Sequence, residues 1–251
     1  MPFVFTPSHH PRWVGWRYRA FIDLYHRSDL VLTLTEVERR ELISMGVSSA
    51  RICTTGVGPV IAPTADPENF RLCYGIDGRL VLFVGQHYSY KGFYALLEAA
   101  TLVWRRFPDA RFAFIGPPVG DSEAAYRGAD PRILRLGAVD LQTKTDALAA
   151  CTVLCVPSTQ ESFGGVYAEA WSFGKPVIGA RIPAVAEVID DGVDGLLTEQ
   201  RPAEIADRII LLLEDESAAQ CMGAAGKAKV VRRYTWDVIA QRTLAAYRSV
   251  M

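Results

Sequence analysis

The chain lacks a dominant charge: 27 Lys and Arg stand against 28 Asp and Glu in 251 residues. That balance supplies no general field for steering nucleic acid, so none is expected as a partner and an anionic ligand must be held locally. Long apolar runs are also absent. The longest, such as Ile209 to Leu213, fall far short of the ~20 residues that cross a bilayer, so no spanning helix is expected. The segment from Met1 to Pro7 has neither a basic leader nor the apolar stretch of a secretory signal, and a cytoplasmic location is expected. Cysteine is scarce and unpaired in pattern: Cys53, Cys73, Cys151, Cys155 and Cys221 include no Cys-x-x-Cys and are expected to be buried free thiols. No cluster has metal-ligand spacing; Asp190, Asp191 and Asp194, around Gly192 and Gly195, read as a turn into a strand.

What is present is a soluble globular composition, 50% apolar, in a chain long enough for one to two domains. Short β-rich runs recur at Val4 to Thr6, Leu30 to Thr33, Arg51 to Thr55, Leu80 to Val84, Arg111 to Ile115, Ile133 to Leu136, Thr152 to Val156 and Pro176 to Gly179. Helical periodicity falls between them, at Phe93 to Arg106, Leu141 to Ala150, Gly165 to Phe173 and Pro202 to Leu213, with three helices closing the chain. Alternation of this kind predicts an α/β fold, a doubly wound parallel sheet of Rossmann type. Thr35-Glu-Val-Glu38 has capping-box spacing, so a helix is expected from there to Met45-Gly46. Between Thr54 and Asp66 two Gly and two Pro fall without helical period, which reads as an interdomain connector.

The densest chemistry follows the strand at Thr152 to Val156, in Pro157-Ser-Thr-Gln-Glu161-Ser-Phe163-Gly164-Gly165-Val-Tyr-Ala-Glu169. A strand, a polar loop, paired glycines and a helix make an anion site, because phosphate can approach the glycine backbone and the free N–H groups of the first helical turn. Glu169 lies roughly 7 Å further along that helix, about one ribose from a phosphate, and could accept hydrogen bonds from two vicinal hydroxyls. Glu161 faces whatever is attached on the other side. The blander reading is two surface glutamates beside a βα turn. A second loop, Gly85-Gln86-His87-Tyr88-Ser89-Tyr90-Lys91-Gly92, leaves another strand at the same end of the sheet, from which Lys91 could reach the same phosphates. The commoner fate of such a lysine is solvation.

Competing motifs fail on context. Gly56-Val-Gly58 begins like a dinucleotide fingerprint but runs into Pro59 and Pro63 where a helix should start. Ser172 in Ala170-Trp-Ser172-Phe-Gly174 sits inside a helical pattern, and His9, His10, His26 and His87 all precede it, so the hydrolase order of Ser, acid, His is impossible. A glycosidase reading of the two glutamates is disfavoured because a carboxyl facing a helix N-terminus should have its pKa lowered, wrong for a general acid. From Pro11 to Arg27 five aromatics and four arginines resemble an interfacial helix, although a core-packing helix with solvated arginines is favoured over membrane contact.

The ordered combination of Gly85-x-x-x-x-x-Lys91-Gly92, Glu161, Phe163-Gly164-Gly165 and Glu169 resembles the retaining nucleotide-sugar glycosyltransferases of the GT-B fold, the family-four group. Ser28-Asp-Leu-Val-Leu-Thr-Leu-Thr-Glu36, Gly174-Lys-Pro-Val-Ile178, Glu187-Val-Ile-Asp-Asp-Gly-Val-Asp-Gly-Leu-Leu197 and Tyr234-Thr-Trp-Asp237 extend the likeness along the chain. The resemblance implies that Glu169 binds the nucleotide ribose, that Gly164 and Gly165 meet the diphosphate through their amides, and that Glu161 contacts the donor sugar. It also implies that Lys91 neutralises the leaving diphosphate and that Val139, in Gly137-Ala-Val139, meets the base through its backbone. Gln86 and Phe163 complete the expected substrate-binding set, with Lys91 and Glu161 the expected catalytic residues. No metal or other cofactor is implied; the donor is a UDP- or GDP-linked sugar.

This sequence departs from that group in three places. Gln86 stands where the group usually carries Arg, exchanging a charged phosphate donor for a neutral one. Pro183-Ala184 replaces a common glycine pair. Residues 1–60 match only the end of a first, acceptor-side domain, residues 66–234 a whole nucleotide-sugar domain, and helix 235–251 is expected to pack back on the first piece. The group's acceptor-side histidine is not assigned to His9 or His10. Transfer is therefore expected to need acceptor elements from elsewhere, through a homo-oligomer or a complementary N-terminal chain; the sheet edge near Phe3 to Phe5 is expected to be sticky. The alternative is a non-catalytic sugar-nucleotide-binding regulator or a split-enzyme subunit.

Overall fold

The computed structural model describes residues 22–251. The expected strand at Val4 to Thr6, the edge near Phe3 to Phe5, His9, His10 and most of the aromatic segment from Pro11 lie outside them; residues 22–27 are helical. The strands among the described residues are Val31–Thr33 (β1), Ile52–Thr54 (β2), Leu80–Val84 (β3), Arg111–Ile115 (β4), Ile133–Gly137 (β5), Val153–Val156 (β6), Val177–Ala180 (β7) and Gly195–Thr198 (β8). The helices are Glu36–Ser44 (α1), Pro67–Cys73 (α2), Phe93–Val103 (α3), Leu141–Ala150 (α4), Gly165–Ser172 (α5), Pro183–Val188 (α6), Pro202–Glu214 (α7), Glu216–Arg233 (α8) and Trp236–Arg248 (α9).

β1 and β2 pair in parallel, and the other six form one parallel sheet in the order β5-β4-β3-β6-β7-β8. The sheet is doubly wound: the order runs outward one way from β3 and the other way from β6, so the helical connections that follow these two strands pass to opposite faces and leave a crevice at the strands' carboxyl ends. Helices cover both faces, with α3 against α7 and α5 against α8. A sheet covered on both sides needs continuously apolar strands, and β6, β7 and β8 are buried along their whole length.

Trp171 and Tyr167 of α5 are among the largest fully buried side chains, and burial obliges their polar tips to find acceptors. The Trp171 indole donates to the Asp194 carbonyl at 2.8 Å and the Tyr167 hydroxyl to the Val156 carbonyl at 2.7 Å. Gly226 lets α8 approach, since a Cβ there would lie 2.0 Å from the Trp171 ring. A smaller apolar cluster of Val31, Leu42, Val47 and Ile52 lies apart from this core.

Thr35 caps α1 as expected, accepting from the Glu38 amide at 3.3 Å. The Glu38 carboxylate reaches back one residue further than a standard capping box, accepting from Leu34 N at 2.6 Å. The acid side chain of Glu187, on α6, adds a second cap by accepting from the amides of Glu36 at 2.5 Å and Val37 at 2.9 Å. Residues 55–66 carry no helix or strand. Their glycines serve packing: a Cβ on Gly58 would lie 2.7 Å from the Trp236 ring, whose indole donates to the Pro59 carbonyl at 2.9 Å. Arg242, also on α9, donates to the Thr55 carbonyl at 2.9 Å.

The cysteine expectation needs correction. Cys151 and Cys155 are buried, but Cys73 and Cys221 are exposed because they fall on the outer faces of α2 and α8. Among the described residues no helix is long and apolar enough to cross a membrane.

Candidate functional site

The β3–α3 and β6–α5 loops leave neighbouring strands and touch. Thr159 N donates to the Tyr90 carbonyl at 2.8 Å, and the Gln200 side-chain amide joins them by donating to Tyr90 O at 2.9 Å and Pro157 O at 2.8 Å. Gly92 adopts φ +83°, and a Cβ there would meet Pro157 at 2.5 Å, so only glycine lets these loops come this close.

Gly164 stands at the head of α5 with φ +76°, and a Cβ would lie 2.3 Å from the Tyr167 ring. No side chain caps α5, which leaves first-turn amides at the positive end of the helix dipole turned toward the crevice. Gly165 has more room, its nearest neighbour being Val57 at 3.6 Å.

Two ion pairs flank this glycine pair. Lys91 Nζ donates to Glu161 Oε1 at 2.5 Å, linking the two loops directly. Lys144 Nζ, from α4, donates to both carboxylate oxygens of Glu169 at 2.9 Å, and Val60 N adds a bond to Oε1 at 3.4 Å. Glu169 is only 7% exposed. Burial pushes its carboxyl above the ordinary range, opposed by the hydrogen bond and charge of Lys144. Glu169 lies in the body of α5, where desolvation outweighs the distant dipole.

The remaining expected residues divide. Val139 is half-buried in the turn between β5 and α4, after Gly137 at φ +66° and before Asp140, which caps α4 by accepting from Thr143 N at 2.7 Å. Gln86 is exposed at the mouth of the β3–α3 loop. Phe163 is buried with its ring edge-on to Tyr234 at 5.0 Å, so its side chain packs and only its backbone faces the loop. His87 is buried and stacked on Phe93 at 4.4 Å, and desolvation with the nearby Arg135 charge lowers its pKa to about 4.

Lys144 is absent from the residues that sequence reasoning selected. One signal existed, since a cation near the start of α4 runs against the helix dipole and calls for a compensating partner.

The doubly wound sheet, with two touching loops, glycines at a helix head and carboxylate–lysine pairs on either side, is the architecture of GT-B glycosyltransferases. Residues 78–215 match the family described as Glycosyl transferases group 1, and the chain belongs to that family. It is 36% identical over 185 residues to phosphatidyl-myo-inositol mannosyltransferase of Mycobacterium tuberculosis, covering 70% of this chain and 49% of that protein. D-inositol 3-phosphate glycosyltransferase of Kribbella flavida is 31% identical, with 88% of this chain and 57% of that protein covered. The chain thus spans about half the length of these relatives. In fold it is similar to Anabaena HepE solved with UDP and glucose, with TM-score 0.84, 22% identity and coverage of 97% of this chain and 69% of that one. Sucrose-phosphate synthase of Thermosynechococcus elongatus gives TM-score 0.81 and 22% identity, over 98% of this chain and 64% of that one.

Proposed function

We propose that this chain binds a nucleoside-diphosphate sugar in the crevice between the β3–α3 and β6–α5 loops and supports transfer of the sugar to an acceptor hydroxyl with retention of configuration. The observation that carries the reading is the pair of lysine–carboxylate contacts, Lys91 with Glu161 and Lys144 with Glu169, on either side of Gly164 and Gly165.

In this reading the Glu169 carboxylate accepts hydrogen bonds from the ribose hydroxyls, Val139 meets the base through its backbone, and the amides at Gly164 and Gly165 receive the diphosphate. The bond from the anomeric carbon to the phosphate oxygen breaks, its electron pair leaving with the diphosphate. Lys91 stabilises that growing charge more in the transition state than in the ground state. Glu161 holds Lys91 in place and lies on the sugar side of the glycines. The acceptor hydroxyl forms the new bond to the anomeric carbon, and its proton passes to the departing diphosphate. UDP is the favoured nucleotide, supported by the UDP bound in the similar HepE fold, with GDP the other base to be tested.

Because the curated relatives are about twice as long, the acceptor side is proposed to come from outside these residues, through a complementary segment or another copy.

The test is calorimetric titration with UDP, GDP and ADP, repeated on Glu169→Ala. Saturable binding of one nucleotide, weakened by the substitution, supports the donor site and names the base. Failure of all three to bind folded protein refutes it.

A further inference from the structure

At the opposite end of the sheet, where β3, β6 and β7 begin, lies a cavity of about 390 Å³ closed on one side by the end of α7 and the start of α8. The strands are four or five residues long, so at about 3.3 Å per residue it lies roughly 15 Å from the donor loops. The mechanism above uses none of its residues.

Its lining carries Arg71, Arg79 and Lys175. Arg71 is fixed by donating to the carbonyls of Gly78 at 2.8 Å and Ala150 at 2.6 Å. Those acceptors are neutral, so its charge is oriented but not cancelled. Lys175 is half-buried, and its ammonium has no acceptor among the described residues. Arg79 pairs with Asp109 at 3.0 Å, but that pair is about half exposed and largely screened. Glu216, the carboxylate of the lining, is exposed and already accepts from Gln220 at 3.1 Å. The Thr152 hydroxyl accepts from Leu80 N at 3.0 Å, which frees its own hydrogen for a ligand. Opposite these groups, Leu212 and Pro176 give the cavity an apolar wall.

A concave site that gathers Arg71 and Lys175 beside a hydroxyl with a hydrogen to give, Arg79 at its rim and its most enclosed ammonium unanswered, favours a multiply charged anion. The space exceeds one tetrahedral oxyanion, and the apolar wall suits a short organic arm. We infer that this cavity is a second ligand site, separate from the donor crevice, for a small phosphate anion, with a phosphate monoester its best-fitting form.

The test titrates the full chain with glycerol 3-phosphate and with inorganic phosphate, any phosphate held at the donor crevice being told apart because Lys175→Met leaves it unchanged. Saturable binding of either, weakened about tenfold by Lys175→Met but kept by Lys175→Arg, supports the site, as expected for one charge-assisted hydrogen bond. Tighter binding of glycerol 3-phosphate identifies the ester; equal affinity identifies the free anion. Lys175→Met is expected to melt like its parent because the ammonium holds no internal partner. No saturable binding of either probe, or binding indifferent to Lys175→Met and to Arg79→Gln, overturns the inference. Neither result depends on whether UDP binds at the donor crevice.

Discussion

Lys144 and Glu169 meet head-on, one ammonium 2.9 Å from both oxygens of a carboxylate that is almost sealed from solvent. Burial alone drives this carboxyl toward its neutral form, and the lysine opposes that drift. A neutral Glu169 could accept fewer hydrogen bonds from a ribose. Lys144→Met is therefore expected to weaken UDP binding about tenfold or more near neutral pH, with Lys144→Arg keeping most of it. The sign with pH follows from the raised pKa: binding fails as pH falls through it, and in Lys144→Met that failure begins at higher pH. Titrations across pH check this; parallel profiles for parent and variant would contradict it.

The two neighbouring glycines should respond oppositely to one methyl group. Gly164→Ala puts a Cβ into the Tyr167 ring at positive φ and should cost on the order of 2 kcal/mol in urea unfolding, with loss of UDP binding. Gly165→Ala meets only Val57 at 3.6 Å in the first turn of α5 and should fold at least as well as the parent. Equal effects would show that the backbone at Gly164 is not under this constraint.

Lys91 and Glu161 form a contact that substrate would have to share. With a competent acceptor side supplied, Lys91→Met should lower turnover on the order of 100-fold, as for loss of one preorganised charge donor, while UDP affinity falls far less. Comparing kcat with the nucleotide Kd decides it; a matched fall in both would reduce Lys91 to a binding residue.

His87 sets an acid limit on the fold. Its pKa in the folded chain is about 4 against 6.5 when unfolded, so the unfolded state takes up the proton first. Stability is complete above about pH 6.5 and declines as pH falls toward about 4, by no more than about 3 kcal/mol from this group. His87→Phe, keeping a ring against Phe93, should flatten that slope in urea unfolding compared at about pH 7 and about pH 5.

Nucleotide binding is expected to be indifferent to EDTA, because lysine and backbone amides are proposed to meet the diphosphate. Titration with and without the chelator checks this, and lost affinity would call for a metal.

The sheet was legible because parallel strands covered on both faces must be continuously apolar. β3 and β4 have the bounds read from sequence, as does α4, while β5, β6 and β7 differ at their ends by one residue. The turn around Gly192 does lead into a strand, β8. The short helical stretch Gly120–Tyr126 escaped notice because its glycine and acidic start resemble a loop. Phe163 read as a site residue from its motif neighbours; its meeting with Tyr234 joins distant parts of the chain and leaves no local signature. The same holds for Lys144, whose partner lies 25 residues away on another helix.

The contacts of α9 bear on how the chain should be cut. Trp236 and Arg242 occupy the carbonyls of Pro59 and Thr55, and the Trp236 ring fills the space that Gly58 leaves open. Ending an expression product at residue 234, after what looks in sequence like the last residue of the nucleotide domain, would bare that backbone and strip the segment 55–66 of its cover. The final helix is better regarded as a clasp around the segment that joins the two apolar clusters, and affinity tags belong beyond residue 251 rather than in its place.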